Sequence, residues 1–196
     1  MSDQKSATGT FHKAGELSRD VWSRGGGWQL PDLLASALGT LLLLRGDGRP
    51  AYFSSPWMSD FPLFDDRSGG YRSLFPQLVG GNAIMFSDYL ARLAMLGISV
   101  RIITTKTSTS ERFLTTPSLR EARSGAALQA RYADSNYHEK GILAPSFYIE
   151  GSMNITWHGV QIRGEKVTYH TAGENGRHPK IAAAYLEFDR RWEHLK

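Results

Sequence analysis

Three features of this 196-residue chain predict an α/β domain with a mixed, largely parallel sheet flanked by helices. A helix signal over residues 87–97 runs directly into residues 98–104, a strand apolar on both faces apart from Arg101. Strands of that kind are covered by helices on both sides. Four short strand candidates follow, at residues 128–132, 142–143, 147–149 and 166–170. After them, Ile181, Tyr185, Phe188, Trp192 and Leu195 recur at helical spacing.

The elements follow in order. Residues 1–15 read as a flexible tail and 16–196 as one domain, with Arg24-Gly25-Gly26-Gly27 as a joint. A helix is expected from Leu30 to about Leu44, and Gly46-Asp47-Gly48 then turns the chain into a strand at residues 51–54. Pro56 and Trp57 end that strand. Residues 59–81 are rich in Gly, Pro, Asp and Arg without clear period, and read as a long irregular loop. Ser87 is the expected cap of the next helix and Gly97 its stop. A loop follows at residues 105–110, and Pro179 opens the C-terminal helix.

Composition narrows the class. Hydrophobic content of 41% and charged content of 21% suit a soluble globular domain. The chain has no cysteine, which removes disulfide and thiolate chemistry and fits a cytoplasmic setting. The run 33–44 is too short to span a bilayer and is broken by Ser36, Gly39 and Thr40, so no membrane partner is expected. A net charge of +4 is compatible with a polyanionic partner.

The chemistry concentrates in one stretch. His138 and Lys140, two apart on an extended segment, project to the same side. A second strand leads to Gly151-Ser152-Met153-Asn154, which returns a hydroxyl, an amide and backbone N–H groups beside them. Such a group suits holding a phosphate while an imidazole attacks phosphorus. No metal-ligand spacing is present, and neither metal nor cofactor is expected. The attacking imidazole needs a carboxylate to fix its tautomer. Glu150 is the first candidate and Glu165 the second, while Glu139 alternates to the opposite side. Ser55 and Trp57, at the C-terminal end of a strand, are candidates for lining the cleft, with plain core packing as the alternative for Trp57. His158 and His170 read as structural, and His178-Pro179-Lys180 as a helix start.

These residues resemble the phospholipase D superfamily. Its mark is His-x-Lys, four residues, Asp, then Gly-Ser/Gly-x-Asn. His138, Lys140, Gly151, Ser152 and Asn154 fall on matching positions, Pro145 stands where the family has Asp, and the spacing to Gly151 is about one residue shorter than in the bacterial nuclease branch. The resemblance implies that His138 is a nucleophile forming a phosphohistidine. It also implies that Lys140 stabilises the non-bridging oxygens, with Asn154 and Ser152 donating hydrogen bonds. That reaction asks for two histidines, one to attack and one to protonate the leaving oxygen. The chain holds one such half, so a twofold homodimer with a shared site is expected. A narrower resemblance, from about Ala51 onward and centred on residues 54–60 and 138–160, is to the phospholipase D-like group of bacterial phage-defence islands that place deazapurines in DNA (the DpdK-like group). It implies a DNA substrate and partners among the other proteins of such an island. Three functions stay open: a nuclease, a phospholipase-type phosphodiesterase, and a silent subunit that grips DNA phosphates.

Overall fold

The computed structural model describes residues 18–22, 29–44, 46–78, 81–162, 164–172 and 178–195. The expected tail at 1–15 and the joint at Arg24–Gly27 lie outside the described residues. Strand β1 (Ser18–Trp22) precedes helix α1 (Gln29–Leu44) and strand β2 (Ala51–Ser54). A small hairpin, β3 (Pro62–Asp65) with β4 (Ala83–Met85), occupies part of the segment expected to be irregular. Then come α2 (Phe86–Met95), β5 (Val100–Thr105), α3 (Ser108–Leu114), α4 (Pro117–Ala122) and β6 (Leu128–Ala133). Strands β7 (Gly141–Ala144), β8 (Phe147–Gly151) and β9 (Lys166–Thr171) follow, and α5 (Pro179–His194) closes the chain. Among the described residues no helix is long and apolar enough to cross a membrane.

The α/β class holds: one seven-stranded mixed sheet, in the order β1-β9-β8-β7-β2-β5-β6, flanked by helices. Its parallel part is β2-β5-β6, and the remaining neighbours are antiparallel. The reason is loop length. Helical crossovers join β2, β5 and β6, whereas only Pro145 and Ser146 separate β7 from β8, and a link that short permits only an antiparallel return.

Alternation along the strands splits the core in two. Phe53, Ile102, Ile142 and Ile149 face one side, with α1 and α2. Tyr52, Ile103, Leu143 and Tyr148 face the other, where the α5 stripe of Ile181, Tyr185, Phe188 and Trp192 covers them. The Tyr52 hydroxyl donates to Asp189 (2.6 Å) and Arg101 pairs with the same carboxylate (3.1 Å), which fixes the height of α5 on the sheet. At α2 the cap differs from expectation: the helix begins at Phe86, and Ser87 is a donor, not the cap. Its N–H and hydroxyl both go to the Asp60 carboxylate (2.9 and 2.7 Å), which arrives from the loop after β2.

The register decides where chemistry can sit. β7 begins opposite the end of β2, with Ser54 against Gly141, and β8 ends opposite the start of β7, with Glu150 against Gly141. Gly151 in turn faces Val167 near the start of β9. One edge of the sheet therefore gathers the C-terminal end of β2, the segment before β7, the turn after β8 and the entry to β9.

Candidate active site

His138 and Lys140 lie in the exposed segment leading into β7, and Gly151 closes β8 on the neighbouring strand. They share an open cleft of about 420 Å³ with Glu139 from the same segment, with Tyr148 and Glu150 from β8, and with Lys180, Ala183, Ala184, Glu187 and Phe188 from α5. A second hollow of about 490 Å³ lies on the other side of His138 and Glu139, bounded by Asp134, Asn136, Tyr137 and Arg191.

The Gly151–Asn154 turn is built into the protein. Gly151 has φ +152°, and a Cβ there would sit 2.2 Å from the Lys166 carbonyl oxygen, so only glycine lets β8 and β9 meet this closely. Asn154 is buried. Its Oδ1 lies 3.3 Å from the Ser55 hydroxyl, which accepts the Ile155 N–H (3.1 Å) and donates to the Trp57 carbonyl (2.7 Å). Ser55 is wholly buried, so it braces the turn from within and does not meet a ligand, a correction to its expected place on the cleft wall. Trp57 is 46% exposed and is not core. The Ser152 hydroxyl donates to Glu165 (2.5 Å) and accepts the Lys166 N–H (3.1 Å).

The His138 half is held from outside. The Tyr137 hydroxyl hydrogen-bonds the Ser54 hydroxyl at the end of β2. The Arg191 guanidinium reaches Tyr137 (3.5 Å), pairs with Glu139 and pairs with Glu187 (2.7 Å). Arg191 thus grips the residues on both sides of His138. Sequence reasoning missed it because it sits on the polar flank of the α5 stripe, 54 positions from Tyr137. The Lys140 ammonium donates to the His138 carbonyl (2.7 Å). Burial lowers the Lys140 pKa below its ordinary value, against an opposing pull from Glu165.

Both candidate carboxylates have partners of their own. Glu150 accepts from His170 Nε2 and Lys180 Nζ, each at 3.0 Å, because strand parity turns it to the face of Tyr148 and α5. Glu165 bonds Ser152. His170, whose Nδ1 lies 2.7 Å from the Ser18 hydroxyl, is a buried structural residue, as its sequence context predicts. His178 caps α5, its side chain accepting the Lys180 N–H. Three carboxylates border the cleft: Glu139 and Glu187 share Arg191, and Glu150 pairs with Lys180.

Pro145 explains both departures from the family pattern. It occupies the tight turn between β7 and β8, at the edge of the sheet opposite His138, and packs on the turn at Gly46. Five residues of extended chain put it roughly 16 Å from Lys140. The two-residue turn is also why the spacing to Gly151 is short.

No family model matches the sequence, and no curated protein matches it. Solved structures do. Nuc from Salmonella typhimurium, a phospholipase D family member, is similar over 92% of this chain and 97% of its own, with 17% identity and a TM-score of 0.54. The chain has a phospholipase D fold. The same fold covers 91% of this chain in two larger proteins. One is the phosphatidylserine synthase of Haemophilus influenzae Rd KW20 (39% of that chain, 15% identity, TM-score 0.57), and the other is TrmBL2, an archaeal chromatin protein (54%, 13%, 0.51). The chain thus spans about the whole of the first and about half or less of the others. Within this phospholipase D fold, the sheet edge that gathers His138, Lys140 and the Gly151–Asn154 turn is the candidate active site.

Proposed function

We propose that the chain is a phosphodiesterase of phospholipase D type, a nuclease acting on DNA in the restriction of phage. The observation that carries this reading is the convergence at one sheet edge: His138, Lys140 and Gly151 on one cleft, beside a turn whose Asn154 is locked by Ser55. An imidazole nitrogen of His138 attacks phosphorus, a P–N bond forms and the P–O bond to the leaving group breaks. The second His138 of a twofold dimer gives that oxygen its proton. Water then attacks phosphorus, releases His138 and returns a proton to the second imidazole. Lys140 and the Asn154 amide stabilise the phosphoryl oxygens, and the chemistry needs no metal. The Gly151–Asn154 turn supplies a preformed cradle, so the phosphate is met without reorganisation. The DNA substrate and defence partners follow from the narrower sequence resemblance and from the +4 charge.

A second reading, a silent subunit that grips DNA phosphates, draws on Pro145 standing where the superfamily pattern has Asp. Cleavage of labelled single- and double-stranded DNA in excess EDTA, by wild type and His138→Ala, separates the two. The expected result is cleavage by wild type alone. Binding without cleavage by both proteins supports the silent subunit, and equal cleavage by both rejects a His138 nucleophile. Transfer of a phosphatidyl group to added alcohol would redirect the reading to lipid.

A further inference from the structure

His138 and Glu139 are a wall shared by two hollows: the cleft of about 420 Å³ with Lys140 and Gly151, and the hollow of about 490 Å³ at the end of β6. The reaction proposed above uses the first alone. The second lies at the C-terminal end of the parallel strands, where open α/β sheets place ligands. Directly after β6 the chain turns sharply, with the Tyr137 N–H on the Asp134 carbonyl (2.9 Å), and the Asp134 and Asn136 that line the hollow are exposed. Its other walls are fixed in place. Tyr137 is held by the Ser54 hydroxyl and Arg191, and Arg131 donates to the Leu195 carbonyl (3.0 Å). A volume within the usual range of about 300–1,000 Å³, apolar walls and a few hydrogen-bonding groups are the marks of a small-molecule site.

We infer that this second hollow receives the nucleoside that stays on phosphorus when His138 attacks, with Asn136 and Asp134 reading its base. The inference rests on the phosphodiesterase reading and adds which side of the broken bond is recognised. Stereochemistry assigns that side. In an in-line displacement the nucleophile and the leaving oxygen lie on opposite sides of phosphorus. The leaving group therefore departs away from His138, whereas the retained ester group projects sideways from phosphorus. Of the two, only the retained group can fold back past the imidazole into a hollow that has His138 as its wall. It stays there through the phosphohistidine, until water attacks phosphorus and releases it as a phosphate monoester. The lining selects a nucleoside over a diacylglycerol. Acyl chains would meet an amide and a carboxylate to which they offer no hydrogen bond. A base edge presents both donors and acceptors: the Asn136 amide matches either, and the Asp134 carboxylate accepts a base N–H. Tyr137 and Leu195 offer apolar surface to the ring and the sugar.

The test uses esters that share one leaving group, in EDTA: thymidine 5′- and 3′-(p-nitrophenyl phosphate), methyl p-nitrophenyl phosphate and octyl p-nitrophenyl phosphate. Because p-nitrophenoxide departs from each, differences in kcat/KM report the retained group alone. Wild type should prefer one of the thymidine esters over the methyl ester by at least about tenfold, as a site built to hydrogen-bond its ligand does. The Asp134→Ala/Asn136→Ala variant should bring that ratio close to one. Asn136→Ala alone should lower it part of the way, which keeps the test readable if the double variant does not fold. A ratio near one in wild type, a ratio that the variants leave unchanged, or an octyl ester faster than both thymidine esters overturns the inference while the phosphodiesterase reading stands. If wild type hydrolyses none of the four, the phosphodiesterase reading falls alone, and calorimetric titration with thymidine 5′-monophosphate decides the hollow. Affinity that the variants lose supports it. Equal affinity in wild type and variants, or no binding by either, rejects it.

Discussion

The two halves of the site are built in opposite ways. The Gly151–Asn154 turn draws on the core: Met153, Asn154 and Ile155 are buried, and their brace Ser55 is wholly so. The His138 half is an exposed segment tied down by hydroxyls and ion pairs, with Glu139 and Glu187 more than half open to solvent at the other end of Arg191. The free energy of folding thus fixes the proposed phosphate cradle, while the proposed nucleophile depends on contacts that salt screens and that contribute little individually. Damage to the cradle should appear as lost stability, and damage to the clamp as lost rate.

The largest effect is expected from Gly151→Ala. Its Cβ has no room beside the Lys166 carbonyl, and φ +152° is strained for any other residue. A cost of about 3 kcal/mol or more lowers Tm by roughly 10 °C in a domain of this size. A Tm within about 2 °C of wild type would mean that β8 and β9 part easily, and the contrast between the halves would fail.

Ser55→Ala comes next. It removes the acceptor of the buried Ile155 N–H and the neighbour of Asn154 Oδ1, at about 1–3 kcal/mol. Stability and turnover should fall together, read by urea unfolding and by the rate of hydrolysis of methyl p-nitrophenyl phosphate, a small phosphodiester. Unchanged stability with lost turnover would place Ser55 in the chemistry and not beneath it.

Arg191→Met should do the reverse. Its partners Glu139 and Glu187 are about half open to water, so Tm should move by no more than about 3 °C, while kcat falls roughly tenfold with KM unchanged. Raising the salt concentration should slow wild type toward the variant and leave the variant flat. Millimolar guanidinium should restore part of the rate to the variant. A large Tm loss would make Arg191 a structural residue only.

The contrast also explains what could be read beforehand. Helices α2 and α5 declare themselves by apolar period, α1 by its apolar run, and His138, Lys140 and Asn154 by spacing, because each signal is local. Ser55 and Asn154 are 99 positions apart, so their pairing appears only when the register sets β2 beside β7 and β7 beside β8. Strand β1 was not legible: in Ser18–Trp22 Val21 alone is buried, too little for an alternating pattern. Glu150 misled because its position next to Gly151 is local, while the face it takes is set by pairing with β7.

The smallest effect belongs to Glu150, and it tests whether that carboxylate serves α5 and not His138. Burial by itself would raise its pKa, but hydrogen bonds from Lys180 and His170 outweigh burial and hold it below the ordinary 4.5. A carboxyl depressed on folding adds stability that is complete above the unfolded value and is lost as pH falls through the folded one. Wild type should therefore be more stable than Glu150→Gln near neutral pH, and the gap should close as pH drops below about 4.5, measured by urea midpoints across that range. Turnover near neutrality should change little, since the imidazole of His138 takes no bond from this residue. A gap that ignores pH would show packing in place of charge, whereas a large loss of kcat in Glu150→Gln would return Glu150 to the nucleophile and merge the two halves of the site into one.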